Sequence, residues 1–340
     1  MTQHGRGAAA PVSEVTVMNI TMRRAAAALR QADDILILTH AYPDGDALGS
    51  LFALYLLLVR MGKRVRYYTS DEPQNLTFLR VEQPPAEGFK PRFIVTVDVA
   101  DRKLLGDEMN EKYGAWVDLA IDHHGSNTGY ANKTLVCPEK AAACEVLYDL
   151  MRAMHEPLSP EIALRLYTGI ATDTGCFRYA NVTADTLRAA AALMDTGIDA
   201  VKVNNDVFET KTRQYVLFER MAMNALETFH NGQIAVMTLT QEMFRKAGVG
   251  ESDVQGIKAL PRMIEGVLAG FTLTEKEPGR WRVSLRSRDP VDASAVCARF
   301  GGGGHKYAAG CELEGEEQEI REKLIAAAAD MLANSLKQTS

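Results

Sequence analysis

Residues 35–62 read ILILTHAYPDGDALGSLFALYLLLVRMG. The opening run, residues 35–40, is short, apolar and closed by a polar loop, the pattern of a strand buried in a parallel sheet. Residues 46–62 are the pattern of the helix that follows, with Gly62 where a C-terminal cap belongs. The apolar run LFALYLLLV at residues 51–59 is too short to cross a bilayer, so the helix is a buried one. Between strand and helix the loop crowds His40, Asp44 and Asp46 into seven positions.

The same alternation continues outward. RVRYYT (64–69), RFIVTVD (92–98) and WVDLAID (116–122) read as further strands, and helical patterns separate several of them. This predicts an α/β domain with a mainly parallel sheet and flanking helices. From 141 to about 224 the pattern is mostly helical, with Ser159-Pro160 and Thr183 as helix starts. After Leu226 the texture changes to strands, GQIAVMTL, VLAGFTLTE and RWRVSLRSR, with helices between and after them. The expected organisation is a first domain over 15–198, a helical connector over 199–224 and a smaller α+β domain over 225–335. Residues 1 to about 14 read as disordered.

The chain has 340 residues, 46% of them hydrophobic, enough for two cores. The formal net charge is -6 and the pI is near 5.7. A protein that coats long nucleic acid is usually basic, so any nucleic-acid contact here should be local. The five cysteines are widely spaced and form no CxxC, which disfavours both a disulfide framework and a cysteine zinc site. The N-terminus has no apolar core of a signal peptide. These features predict a soluble, cytoplasmic protein that does not meet membranes.

Three of the four predicted strands end in metal-ligating residue types. The first ends in His40 and the Asp44-Gly45-Asp46 loop, the third in Asp98, and the fourth in Asp122-His123-His124. A further segment, GIATDTGCFRY, places Asp173 between helix and loop. In open α/β sheets ligands collect outside the carboxyl ends of the strands, so these residues face one crevice. Carboxylates gathered in a dry cleft need counter-charge. Carboxylate and imidazole together suit manganese, zinc or iron better than calcium or magnesium. Two such ions about 3.5–4 Å apart would serve hydrolytic phosphoryl transfer. Taken one at a time the residues have plainer readings: Asp44 as a helix N-cap, Asp98 as a loop anchor, Asp173 as a cap. Their recurrence on one sheet edge favours the shared site.

The stretches THAYPDGDALGS, VTVDVAD, IDHHGSN and TGIATDTGCFRY resemble the four successive motifs of the DHH-family phosphoesterases. RFGGGGHKYAAG (299–310) resembles the glycine-rich signature of the DHH-associated C-terminal domain. The likeness runs from about Asp33 to Met331, and length together with RSR before the glycine run is most similar to the nanoRNase/pAp-phosphatase branch. It implies two manganese ions: one held by His40, Asp44 and Asp98, the other by Asp46, Asp98, His123 and Asp173, with Asp98 bridging. It also implies that His124 faces the scissile phosphate and that Asp122 orients it from behind. The active site would lie in a cleft between the two domains.

Four glycines, Gly301, Gly302, Gly303 and Gly304, followed by His305 and Lys306, allow close backbone approach to an anion, although any glycine run is also a candidate flexible loop. Between 280 and 306 the basic residues are Arg280, Arg282, Arg286, Arg288, Arg299 and Lys306, against Asp289 and Asp292. Strand alternation puts Arg280, Arg282, Arg286 and Arg288 on one face. The plain alternative is a solvated strand face. The resemblance makes Arg286, Ser287, Arg288, the glycine backbone, His305 and Lys306 candidates for gripping the non-reacting nucleotide end, and Arg178 of the DTGCFR segment is a further substrate-binding candidate.

The function this reading supports is hydrolysis of very short RNA and removal of the 3′-phosphate of pAp. Short oligonucleotides or nucleotide bisphosphates would be the partners, with no long nucleic acid, and a homodimer through the helical region is compatible with the pattern. The alternatives are a cyclic di-AMP or linear-dinucleotide phosphodiesterase on the same scaffold, and a non-catalytic nucleotide sensor. The four spaced arginines speak against pyrophosphate as the substrate.

Overall fold

A computed structural model describes residues 19–338 apart from residue 71; the N-terminal stretch read as disordered lies outside the described residues. The chain divides into two units between Thr210 and Lys211, inside the stretch read as a connector.

The first unit is built on five strands: β1 (Ile35–Leu38), β2 (Val65–Tyr68), β3 (Phe93–Val97), β4 (Leu119–Asp122) and β5 (Lys133–Val136). All are parallel, in the order β2-β1-β3-β4-β5. The helices are α1 (Met22–Gln31), α2 (Gly45–Arg60), α3 (Asp107–Tyr113), α4 (Ala143–Ala153), α5 (Pro160–Asp173), α6 (Ala184–Met194) and α7 (Ala200–Asn204). Ile35 and Ile37 face the large core under α1, α2, α4 and α5, while Leu36 and Leu38 face a smaller one with Leu105 and Met109. β1 is therefore apolar on both faces, as a central parallel strand requires. The chain leaves β1 for β2 on one side and returns to β3 on the other. The loops after β1 and β3 thus part from each other, which opens a crevice at the carboxyl ends of these two strands.

Two differences from the sequence reading have simple causes. The fourth strand starts only at Leu119, and Trp116 is exposed. β5 is a further strand that the reading did not contain. It is a short edge strand opening on an exposed lysine, so its apolar signal is weak.

The second unit holds α8 (Arg213–Asn224), β6 (Leu226–Phe229), β7 (Ile234–Leu239), α9 (Gln241–Ala247), a 3-10 stretch (Ser252–Ala259), α10 (Leu260–Met263), β8 (Ala269–Glu277), β9 (Arg280–Ser287), α11 (Ala293–Ala298), β10 (Gly303–His305), β11 (Ala308–Glu314) and α12 (Glu317–Gln338). Its mixed sheet runs β10-β11-β9-β8-β7-β6, with only β7 and β8 parallel. One face packs on α11 and α12 through Trp281, Val283, Leu285, Val296 and Leu324. On the other, Met237 and Leu239 of β7 pack under α8, α9 and the 3-10 stretch. Part of the glycine run is strand rather than loop, since Gly303 and Gly304 pair with Gly310 and Ala309. Among the described residues, no helix is long and apolar enough to cross a membrane.

Candidate metal centre and anion-binding face

Asp44 is the N-cap of α2, accepting from the Asp46 and Ala47 amides at 3.1 and 3.0 Å. The plain reading of this residue is thus correct, yet its carboxylate also lies 4.0 Å from His40 Nε2. Asp46, in the first turn of α2, is buried and accepts from the amides of Ala143 and Cys144 at 2.6 and 2.9 Å. The N-terminus of α4 therefore holds it, where the helix dipole favours an anion. α2 and α5 cross closely enough to bring Asp46 near Asp173 because Gly169 lacks a side chain. A Cβ there would strike Cys144 Sγ and come within 2.9 Å of Asp46 Oδ1.

Asp98 follows β3 with φ of 56°, a left-handed conformation that asparagine and aspartate tolerate better than most residues. Its Oδ2 lies 3.6 Å from His40 Nε2 and its Oδ1 3.6 Å from His123 Nε2. His123 Nε2 is also 3.9 Å from Asp46 and 3.6 Å from Asp173. The other nitrogen, Nδ1, sits 3.3 Å from the Lys140 carbonyl. A proton on Nδ1 then donates to that carbonyl and leaves the Nε2 lone pair facing the three carboxylates.

His124 is oriented differently. Its Nδ1 donates to Asp122 Oδ1 at 2.8 Å, leaving Nε2 for another partner. Asp122 is fully buried and also accepts from the His123 and His124 amides and from Asn127 Nδ2 at 2.6 Å. These donors engage both oxygens of Asp122 and make it a support for His124.

The electrostatics follow from this crowding. Burial, then Asp46 and Asp44, push the Asp98 carboxyl well above the usual carboxylate range. Burial and the same two neighbours push Asp173 to about 8. Asp46 is raised chiefly by burial. Burial holds His40 below its ordinary value. The hydrogen bond to Asp122 lifts His124 to about 9. Asp122 is the exception among the acids: burial pushes it up, but the donors from His124 and Asn127 outweigh that and hold it low.

Asp98 Oδ1 is buried and accepts no hydrogen bond. A buried, unpartnered carboxylate oxygen facing an imidazole lone pair is a ligand position, and the donor set suits a divalent cation. Three groups close enough to hold an ion are His40, Asp44 and Asp98; Asp46, His123 and Asp173; and Asp98, His123 and His124.

In the second unit, β-ladder register decides which candidates meet. Arg286 stands opposite Ala308, and Ala308 opposite His305, so all three share one face in a row across β9, β11 and β10. The next row is Ser284, Gly310 and Gly303, a floor of small residues. Gly302 is required beside it, since a Cβ would strike the Gly310 carbonyl. Gly301 and Gly304 have positive φ. Other candidates lie elsewhere. Ser287 is buried on the opposite face, its hydroxyl donating to the Lys306 carbonyl at 3.3 Å. Arg288 lies past the end of β9 and is exposed. Lys306 pairs with Asp289 at 2.7 Å. Arg178, in the first unit, is exposed and donates through Nε to the Gly175 carbonyl at 2.5 Å.

Residues 34–170 match the model of the DHH family, N-terminal domain, and residues 231–334 match the DHHA1 domain. A curated relative, the bifunctional oligoribonuclease and PAP phosphatase NrnA of Thermus thermophilus, is 34% identical over 86% of this chain and 89% of its own. The chain belongs to the DHH family. Among solved structures, an exopolyphosphatase-related protein from Bacteroides fragilis shares the fold with a TM-score of 0.79, at 24% identity over 91% of this chain and 96% of that one. RecJ of Thermus thermophilus in complex with Mn2+ shares it more loosely, with a TM-score of 0.54 and 17% identity over 94% of this chain and 56% of that one.

Two groups that orient candidate site residues lie outside the sequence reading. Asn127 lies within the IDHHGSN motif, and its Nδ2 donates to Asp122 Oδ2, which steadies the Asp122–His124 pair. The Lys140 carbonyl orients His123, and a backbone acceptor from a loop seventeen residues away leaves no residue-type signal. The matched DHH segment ends just before Asp173, so the structure, not the family model, brings that residue to His123.

Proposed function

We propose that this chain hydrolyses phosphoester bonds in very short oligoribonucleotides and removes the 3′-phosphate of pAp, using two divalent cations, with manganese the preferred ion. The single observation that carries the reading is Asp98, whose two carboxylate oxygens face two different histidines, one of them from a buried position without a hydrogen bond. His40, Asp44 and Asp98 would hold one ion, and Asp46, Asp98, His123 and Asp173 the other. Such ions supply charge stabilisation at a phosphoryl centre and an acidified water.

The protein's own groups do the rest. His124, tied through Nδ1 to Asp122, whose hydrogen bond raises its pKa, would present an N–H at Nε2 to a phosphate oxygen and stabilise the charge that develops there. Asp122 and Asn127 keep that ring from turning. Arg286 and His305, in one row of the DHHA1 sheet, would hold the non-reacting end. A net charge of -6 disfavours long polymers, whereas a few local cations suffice for a dinucleotide. The naming of the Thermus thermophilus relative as an oligoribonuclease and PAP phosphatase supports this substrate class, and the Mn2+ complex of RecJ supports the ion. Five free cysteines fit a reducing, cytoplasmic setting.

The test is purified chain with manganese, labelled dinucleotide, pAp and cyclic di-AMP, each with and without chelator. Turnover of dinucleotide and pAp that chelation stops is expected. Faster cleavage of cyclic di-AMP than of either would favour the cyclic-dinucleotide alternative. Nucleotide binding without turnover would make the chain a sensor.

A further inference from the structure

Asp46, His123 and Asp173 come from three parts of the first unit: the start of α2, the end of β4 and the end of α5. Each is tied to one short segment, residues 140–144, where the chain turns into α4. The Lys140 carbonyl lies 3.3 Å from His123 Nδ1. The amides of Ala143 and Cys144 donate to the two oxygens of Asp46 at 2.6 and 2.9 Å. Asn181 Nδ2 donates to the Ala141 carbonyl at 3.0 Å and to the Asp173 carbonyl at 3.2 Å, which couples the segment to the end of α5.

Glu145, in the first turn of α4 and outside every residue assigned from the sequence, holds this segment in place. Its side chain is buried. Oε2 accepts from the Ala141 amide at 3.1 Å and from the Thr186 hydroxyl at 2.9 Å, and Oε1 accepts from Lys140 Nζ at 3.1 Å. The Ala141 N–H and the Lys140 C=O belong to one peptide unit. That unit is planar, and in the trans form its N–H and C=O point in opposite directions. An acceptor that fixes the N–H therefore also fixes the carbonyl that faces His123. The charge of Glu145 is the less particular part of the arrangement, since Lys140 Nζ also pairs with Asp149 at 2.6 Å.

We infer that Glu145 is a positioning residue for His123. By holding the Lys140–Ala141 peptide it places the carbonyl that takes the Nδ1 proton, and so keeps Nε2 aimed at Asp46, Asp98 and Asp173. The consequence for ion binding rests on the two-cation reading of the centre; the orientation of the ring does not. Groups that orient a histidine ligand through its second nitrogen are worth about 10- to 100-fold in ion affinity.

Two substitutions separate reach from charge. Glu145→Gln keeps the length and an oxygen for the Ala141 amide but loses the charge. Glu145→Asp keeps the charge but is one methylene shorter, which withdraws it from that amide. The first measurement is 15N NMR of the full chain in chelator, following the His123 Nδ1–H resonance, assigned by its loss in His123→Gln. Wild type and Glu145→Gln should show a slowly exchanging signal, and Glu145→Asp should lose it. The second is calorimetric titration with manganese chloride. Glu145→Asp should weaken one of two ions about 10- to 100-fold, with Glu145→Gln close to wild type. A role in the fold alone would lower the melting temperature of Glu145→Asp in chelator and leave both the resonance and the ion affinity of the folded chain unchanged. That result, a wild type without a protected Nδ1–H, or loss of both readouts in folded Glu145→Gln would each overturn the inference. If wild type bound no manganese while the Nδ1–H signal still depended on the length of residue 145, the two-cation reading would fall and the positioning of His123 would stand.

Discussion

Asp98 reaches His40 Nε2 with one carboxylate oxygen and His123 Nε2 with the other, both at 3.6 Å. The two histidines follow different strands, and Asp98 follows β3, the strand that lies between theirs in the sheet order. One carboxylate is thus common to both candidate ion positions.

Replacing it should disable both. Asp98→Asn keeps the shape and removes the charge. Turnover of dinucleotide should fall by at least about 10²–10³-fold, the scale of losing a principal electrostatic contributor. Metal analysis should give fewer than two ions per chain. With cations chelated, the same variant should melt higher than wild type, since a buried carboxyl crowded by Asp46 and Asp44 has been made neutral. Full activity at saturating manganese would remove Asp98 from the centre.

His124 and its supports should separate binding from chemistry. His124→Ala should retain both ions and lose about 10²–10³-fold in kcat. Asn127→Ala should give a smaller loss, about 10-fold, by freeing the Asp122–His124 pair. Loss of an ion in His124→Ala, seen by metal analysis, would make His124 a ligand instead.

The chelated protein should lose stability as pH rises. Asp173 titrates at about 8 when folded, against about 3.9 for an unfolded aspartate. Between those values the folded chain keeps a proton that the unfolded chain has released, so stability falls with rising pH. Asp46 and Asp98, also raised, act in the same direction, and so does His124 between about 6.5 and about 9. His40, held low by burial, opposes them near pH 6. Melting temperature in chelator should therefore drop from pH 5 to pH 8, and manganese should stabilise more at pH 8 than at pH 5, because fewer protons remain for the ions to displace. A chelated protein most stable at pH 8 would contradict the crowded-carboxylate picture.

If Arg286 and His305 hold the end that does not react, as proposed, Arg286→Ala and His305→Ala should raise KM for dinucleotides, with kcat/KM down about 10- to 1000-fold. A small chromogenic phosphodiester, which has no second nucleotide, should be cleaved almost normally. Equal losses on both substrates in steady-state assays would assign the two residues to the fold.

Much of the clustering at the candidate metal centre was legible in the linear sequence. Short apolar runs predict parallel strands, and the residues just past their ends predict the crevice, because strand and ligand are neighbours in the chain. His40, Asp44, Asp98, Asp122, His123 and His124 are all of this local kind. Asp173 was legible for another reason, its place between glycines at a helix end. What the sequence could not determine depends on pairing across distance. The Gly169 approach that sets Asp46 beside α5, the α4 amides that hold Asp46, and the Lys140 carbonyl that turns His123 come from segments far apart in the chain. In the second unit, alternation along β9 correctly grouped Arg280, Arg282 and Arg286. It missed that Ser287 faces the core and that Arg288 falls beyond the strand. Only ladder register put His305 and Arg286 on one face with Ala308 between them. A strand's own period fixes which side each residue takes, but its neighbours are chosen by tertiary packing, and binding faces are made of neighbours.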